Sequence, residues 1–185
     1  MTHVQVTALP KRITLRSRIL SLGSCFAQAV GGRLAANCFD IKVNPTGTLY
    51  NPESVAMTIE ELWAEGQRAD VLLLTFGTSH VYRLAGGQVV TNCRKRPASM
   101  FTEDDLTVEY IVNRYVRLLT QLRADVPQLQ VLFTVSPYRY TKYGLHGSAL
   151  SKARLLLAVD EICSKVENCH YFPAYEIVTD ELRDY

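Results

Sequence analysis

The segment Ile19-Leu20-Ser21-Leu22-Gly23-Ser24-Cys25-Phe26-Ala27 changes character at its middle. Its first half reads as a short buried strand, Gly23 as a tight turn, and the remainder as a helix running to about Ala36. Glycine bends sharply at no steric cost. Ser24 and Cys25 then fall on the first helical turn. Backbone N–H groups there have no intrahelical partner, and the dipole favours negative charge. A thiolate or a developing oxyanion is stabilised at such a point. Phe26, Val30 and Leu34 recur at helical spacing, which predicts an apolar stripe facing the sheet.

Working outward, residues 1–18 read as an edge segment. Phe39 to Val43 is a short second strand, and Asn44 to Tyr50 a loop punctuated by Pro45 and Gly47. Asn51, Pro52 and Glu53 are a helix start: cap, first position and acidic first turn. That helix stops at Gly66. Val71 to Phe76 is a continuous apolar run, as expected of a strand buried on both faces. His80 to Asn92 reads as a hairpin around Gly86-Gly87. Thr102 is predicted to open a helix with Asp105 in its first turn, ending before Pro127. Val131 to Val135 is the next buried strand. Ser136 to Gly147 reads as a loop, and Ser148 or Ser151 as the start of a helix to about Lys165. His170 to Phe172 makes a last strand, and Ala174 to Leu182 a short helix. Alternating strands and helices imply right-handed crossovers and a mostly parallel sheet of about five strands. Ligands of such sheets bind at the strands' carboxyl ends. Here those ends are Gly23 to Cys25, Gly77 to His80, and Ser136 to His146.

The chain has 185 residues, 48% of them hydrophobic, which suits one α/β domain over 1–185. Twenty basic and 18 acidic residues leave a net charge of +2, so no basic surplus argues for nucleic acid. No apolar run reaches the roughly 18 residues a membrane helix needs. Met1 to Arg18 carries no secretory pattern, so cytoplasmic residence is expected. Five cysteines without an export signal or a Cys-x-x-Cys pair argue against a disulfide framework. The spacing of Cys163, Cys169 and His170 fits no standard metal site. No metal or other cofactor is implied.

The string Gly-Ser-Cys-Phe-Ala at 23–27 resembles the signature of the GSCFA domain family. The resemblance continues through Asn44 to Pro52, Thr75-Phe76-Gly77-Thr78, Asn92-Cys93, Ser136-Pro137, Gly144-Leu145-His146 with Ser151-Lys152-Ala153, and Phe172 to Glu176. That family is similar to the SGNH/GDSL hydrolases, which implies a three-layer α/β/α fold with flavodoxin-like strand order. It also implies acyl-ester chemistry, either hydrolysis or acyl transfer, on a small-molecule or glycan ester.

On the superfamily's pattern Gly23 matches the glycine after the first strand, Ser24 its aspartate, and Cys25 its nucleophile. A one-residue slip makes Ser24 the nucleophile. Cys25 is preferred, because a helix N-terminus lowers a thiol's pKa and a cysteine needs less help from a base. Gly47, Gly77 and Ser79 hold positions resembling the family's oxyanion-donor loops. Asn92 stands in for the asparagine usual in the third block. A general base is also required. The superfamily takes its base from a late Asp-x-x-His block, expected just beyond Leu182 to Tyr185, so the chain reads as C-terminally truncated. Within the chain, His146 and His80 are the candidates, although Tyr143 stands where a carboxylate orienting His146 is expected. The tyrosines of 138–143, with Arg139 and Lys142, are a candidate cleft for a polar substrate or a solvated loop. Lys152, next to Ser151, is expected to face solvent or a carboxylate, since adjacent helical residues point apart. Two other functions compete: a catalytically incomplete relative that binds a ligand, and a redox-sensing thiol on Cys25.

Overall fold

A computed structural model of the chain describes residues 3–84, 87, 89–91 and 97–183. Five strands form a wholly parallel sheet: β1 (Ile19–Gly23), β2 (Ile41–Val43), β3 (Val71–Phe76), β6 (Gln130–Val135) and β7 (Cys169–Tyr171). Their spatial order is β2-β1-β3-β6-β7, the flavodoxin-like order. Between β3 and β6 the chain makes a two-stranded antiparallel ribbon of β4 (His80–Leu84) and β5 (Phe101–Asp105). The helices are α1 (Cys25–Ala36), α2 (Pro52–Ala64), α3 (Val108–Asp125) and α4 (Gly144–Lys165). The chain's last described turns are Ala174–Glu176 and the π-helical Ile177–Glu181. Among the described residues no helix is long and apolar enough to cross a membrane.

Register explains the layering. Leu20, Leu72 and Val131 align across β1, β3 and β6, as do Leu22, Leu74 and Phe133. These side chains share one face and merge with the apolar sides of α2, α3 and α4 into the main core. Phe76, Tyr115 and Phe133 meet edge-on or tilted at its centre, ring centroids 5.2–5.7 Å apart. The opposite face carries Ser21, Leu73 and Leu132, covered by Phe26 and Ala27 of α1 and by Phe172. The result is a three-layer α/β/α sandwich.

Three local expectations are corrected. The sheet-facing side of α1 is Ala27 and Gly31, whereas Val30 is 40% exposed. A Cβ on Gly31 would lie 2.6 Å from Val43 Cγ2, so close packing on β2 selects small residues over a stripe of large ones. Thr102–Asp105 is strand, paired with β4 from Leu84↔Phe101 to His80↔Asp105. The helix starts at Val108, with the Thr107 hydroxyl accepting from the Tyr110 N–H at 3.1 Å. The expected hairpin around Gly86-Gly87 is present as well: Arg83 and Val89 form an antiparallel bridge and the Val90 N–H donates to the Tyr82 carbonyl at 2.9 Å, so β4 pairs with this return segment as well as with β5; Gly86 itself lies outside the described residues. Finally, α4 begins at Gly144, four residues before Ser148.

The turn after β1 has no room for a side chain. Gly23 has φ +142°, and a Cβ there would lie 2.1 Å from the Thr75 carbonyl oxygen. The Gly23 N–H donates to Asn44 Oδ1 at 2.9 Å, and its carbonyl accepts from the Leu49 N–H at 2.9 Å. Gly23→Ala is expected to destabilise the chain by about 3 kcal/mol or more, from strain plus overpacking. A thermal melt by circular dichroism reads this directly; an unchanged midpoint would contradict the geometry.

Candidate active site

Gly23 and Thr75 are register partners on adjacent strands. Two residues further on, Cys25 and Gly77 leave the sheet side by side at its carboxyl edge. Cys25 is the first residue of α1 and is exposed. Ser24 is the N-cap: it is 1% exposed, and its Oγ accepts from the Phe26 N–H at 3.3 Å. The two candidate nucleophiles thus differ physically, one capping a helix from inside and the other presenting its sulfur outside. No acidic residue offsets the positive end of α1 in its first turn. Among the described residues the Cys25 N–H has no protein acceptor.

At the same carboxyl edge of the sheet stands a residue the sequence reading misplaced. Lys152 is only 3% exposed. Its Nζ donates to the Gly77 carbonyl and, at 2.6 Å, to the Ser136 carbonyl, at the ends of β3 and β6. It lies 5.2 Å from the centroid of the Tyr140 ring, and among the described residues no carboxylate pairs with it. The expectation of solvent or a carboxylate is overturned, because α4 turns Ser148, Ser151, Lys152 and Leu155 inward on one face. Burial pushes the Lys152 amine down to about 7, and the charge of Cys25 acts in the opposite sense. The charge of Cys25 also acts on Tyr140, whose hydroxyl is pushed up chiefly by burial. Lys152 and Tyr140 are thus neighbours in space, and the Cys25 charge acts on both.

The sequence-derived oxyanion donors have their N–H groups engaged elsewhere. The Gly47 N–H donates to the Asn44 carbonyl at 2.9 Å, and the Gly77 N–H to the Tyr50 carbonyl at 2.8 Å. Gly77 has a packing role as well: a Cβ there would lie 2.4 Å from the Tyr140 hydroxyl. The Ser79 N–H donates to Ser151 Oγ at 2.8 Å, while Ser79 Oγ donates to Asp105 Oδ1 at 2.5 Å. Asn92 lies outside the described residues.

The two histidines diverge. His146 is exposed on the first turn of α4, without a paired carboxylate among the described residues. Tyr143, expected near it, instead stacks on His80 at 3.7 Å and donates its hydroxyl to Glu103. His80 has a carboxylate near it: Nδ1 lies 3.4 Å from Asp105 Oδ1, and Asp105 also pairs with Arg154 at 2.7 Å. Its Nε2 is buried and without a hydrogen-bond partner among the described residues. Asp105 escaped sequence reading because it sat in a misassigned helix. The inward spacing of Ser148, Ser151, Lys152 and Leu155 was a signal that could have found Lys152.

A cavity of about 270 Å³ opens next to this group, lined by Tyr50, Thr78, His80, Tyr82, Tyr140 and Tyr143, among others. Tyr140 belongs both to the cavity and to the surroundings of Cys25. Cys163 and Cys169 take no part: burial raises their thiols to about 11 and about 12.

A parallel sheet of flavodoxin-like order, with an exposed cysteine and a buried lysine at its carboxyl edge, defines an α/β protein with a thiol-centred candidate site. The family model for the GSCFA family matches residues 18–68 and 64–185, and the chain belongs to that family. Comparison with the curated proteins and with the solved structures gave no match.

Proposed function

We propose that the chain catalyses acyl-ester hydrolysis or acyl transfer, with Cys25 as nucleophile and Lys152 as its proton acceptor. One observation carries this reading: an exposed cysteine opens α1 at the same sheet edge where the carbonyls ending β3 and β6 hold a buried lysine that has no paired carboxylate among the described residues. Counting protons supports it. A neutral amine has two N–H groups, which the Gly77 and Ser136 carbonyls use, and one lone pair left to accept a proton. The Cys25 proton passes to Lys152 Nζ while Sγ attacks the ester carbonyl carbon. The tetrahedral oxyanion forms at the positive end of α1, near the Cys25 N–H. The alkoxide leaves with the proton from Lys152, and an acyl thioester remains. Water or an acceptor hydroxyl then gives its proton to Lys152, attacks the thioester and expels the thiolate, which takes that proton back from Lys152 to restore the thiol and the neutral amine.

The resemblance to SGNH-type enzymes supports the same chemistry from an independent direction, although those enzymes use a histidine from a late block. A second reading, ligand binding without turnover, is favoured by the engaged N–H groups of Gly47, Gly77 and Ser79. Steady-state assays with small neutral esters separate the two. Saturable turnover that is lost when thiols are alkylated is expected. Absence of turnover across an ester panel, with the protein folded, would leave only the binding reading.

A further inference from the structure

The cavity beside Cys25 has a definite chemical character. Five of its walls are aromatic or imidazole rings: Tyr50, His80, Tyr82, Tyr140 and Tyr143. Tyr50 and Tyr140 meet edge-on at 88°, and His80 and Tyr143 stack, so ring faces and edges both front the space.

Several of its polar atoms are already engaged. Asn51 Oδ1 accepts from the Ser54 N–H at 2.8 Å as the cap of α2. Thr78 Oγ1 lies 3.1 Å from Ser151 Oγ and accepts from the His80 N–H at 3.2 Å. The lining's one ammonium, Lys142, donates to Glu103 and to the Tyr82 hydroxyl, each at 2.7 Å. Glu103 also accepts from Tyr143. Burial works against the Glu103 charge, but Lys142 and Tyr143 hold its carboxyl below the usual value, so the Lys142–Glu103 pair sums to zero. Among the lining residues, His80 Nε2 is the buried polar atom left without a partner.

An anionic ligand entering here would find the lining's ammonium already neutralised by Glu103, and would lose hydration without compensation from it. An uncharged ring or aliphatic segment would instead gain contact with tyrosine faces. The volume of about 270 Å³ lies just below the roughly 300–1,000 Å³ typical of small-molecule pockets, which suits one ring or a short chain.

We propose that this cavity holds an uncharged, ring-bearing or short aliphatic portion of the ester substrate, next to the Cys25 thiol. This rests on the acyl-transfer reading and narrows its substrate class away from phosphate-bearing donors. The group can belong to the acyl side or to the alcohol side of the ester; the cavity's chemistry is the same for both.

Two ester series test it, followed by pH-stat titration of released acid. One keeps methanol as the alcohol and varies the acyl group through acetyl, hexanoyl, benzoyl and the anionic hemisuccinyl. The other keeps acetyl and varies the alcohol through methyl, hexyl and benzyl. A rise of tenfold or more in kcat/KM along one series is expected, with the hemisuccinyl ester at or below acetyl. The series that rises identifies the side that enters the cavity. Val90→Trp, which fills the space, should lower the benzoyl-to-acetyl or benzyl-to-methyl ratio by about tenfold.

Turnover that is flat along both series, or highest for the hemisuccinyl ester, overturns the cavity's assignment and leaves the acyl chemistry standing. The converse is read on Cys25→Ala protein, by titrating methyl benzoate and benzyl alcohol against tyrosine ring resonances. Saturable binding of either, weakened by Val90→Trp, with no turnover of any ester by the unmodified chain, upholds the cavity and defeats the acyl-transfer reading. Neither turnover nor binding defeats both.

Discussion

Cys25→Ala lowers ester turnover by roughly 10³-fold or more, the scale at which an enzyme loses its nucleophile, while Ser24→Ala keeps turnover within about tenfold. The contrast follows from where the two side chains stand. Ser24 Oγ is buried and spends its acceptor capacity on the Phe26 N–H, so its loss is a capping defect. Such a defect costs about 1 kcal/mol, which lowers the melting midpoint by about 2–4 °C in a chain of this size. Cys25 caps nothing and is exposed, so Cys25→Ala should melt within about 1 °C of the parent. Activity and stability thus separate in opposite directions across two adjacent residues. If Ser24→Ala is the dead variant and Cys25→Ala the active one, the nucleophile is the serine.

Lys152→Met has the second largest expected effect. Removing a general base costs about 10²–10⁴-fold in rate. The parent's kcat/KM should rise with pH as Lys152 loses its proton, with an inflection near its pKa of about 7. In Lys152→Met that inflection should be gone. A purely structural lysine would change the height of the profile and leave its shape. Stability gives an independent reading. The folded-state pKa lies below the roughly 10.4 of a free lysine, so between those values the unfolded chain binds the proton more readily. Stability therefore rises as pH rises from about 7 toward 9, by on the order of 2 kcal/mol. Above about 9 the raised thiols of Cys163 and Cys169 act in the opposite sense. Denaturant midpoints at pH 7 and 9 should differ in the parent and converge in Lys152→Met. Midpoints that do not rise with pH in the parent would contradict a buried amine of depressed pKa.

The parts of the fold legible in sequence are those whose burial is locally written. β1, β3 and β6 are apolar runs, and α2 announces itself through Asn51, Pro52 and Glu53, whose predicted cap is the observed one. β5 was illegible because Thr-Glu-Asp-Asp carries no apolar alternation; it is strand because β4, some twenty residues earlier, offers it a register. The inward face of α1 was misread because Gly31 is chosen by the proximity of Val43, which is a tertiary fact. At the site, the Gly-Ser-Cys turn was legible as a helix start with a thiol on it. Lys152 was not, since lysine is rarely buried and the carbonyls that hold it come from two strands distant in sequence. Asp105 near His80 was hidden for the same reason as β5.

The central claim is that Cys25 carries the acyl group. The most direct measurement is to mix the chain with p-nitrophenyl acetate, quench in acid within the first turnover, and map the modified peptide by mass spectrometry. The account predicts one acetyl group, on Cys25, absent from Cys25→Ala protein and lost over time as turnover proceeds. Acetyl on Ser24, or turnover with no acyl group on Cys25 at any time, would contradict it.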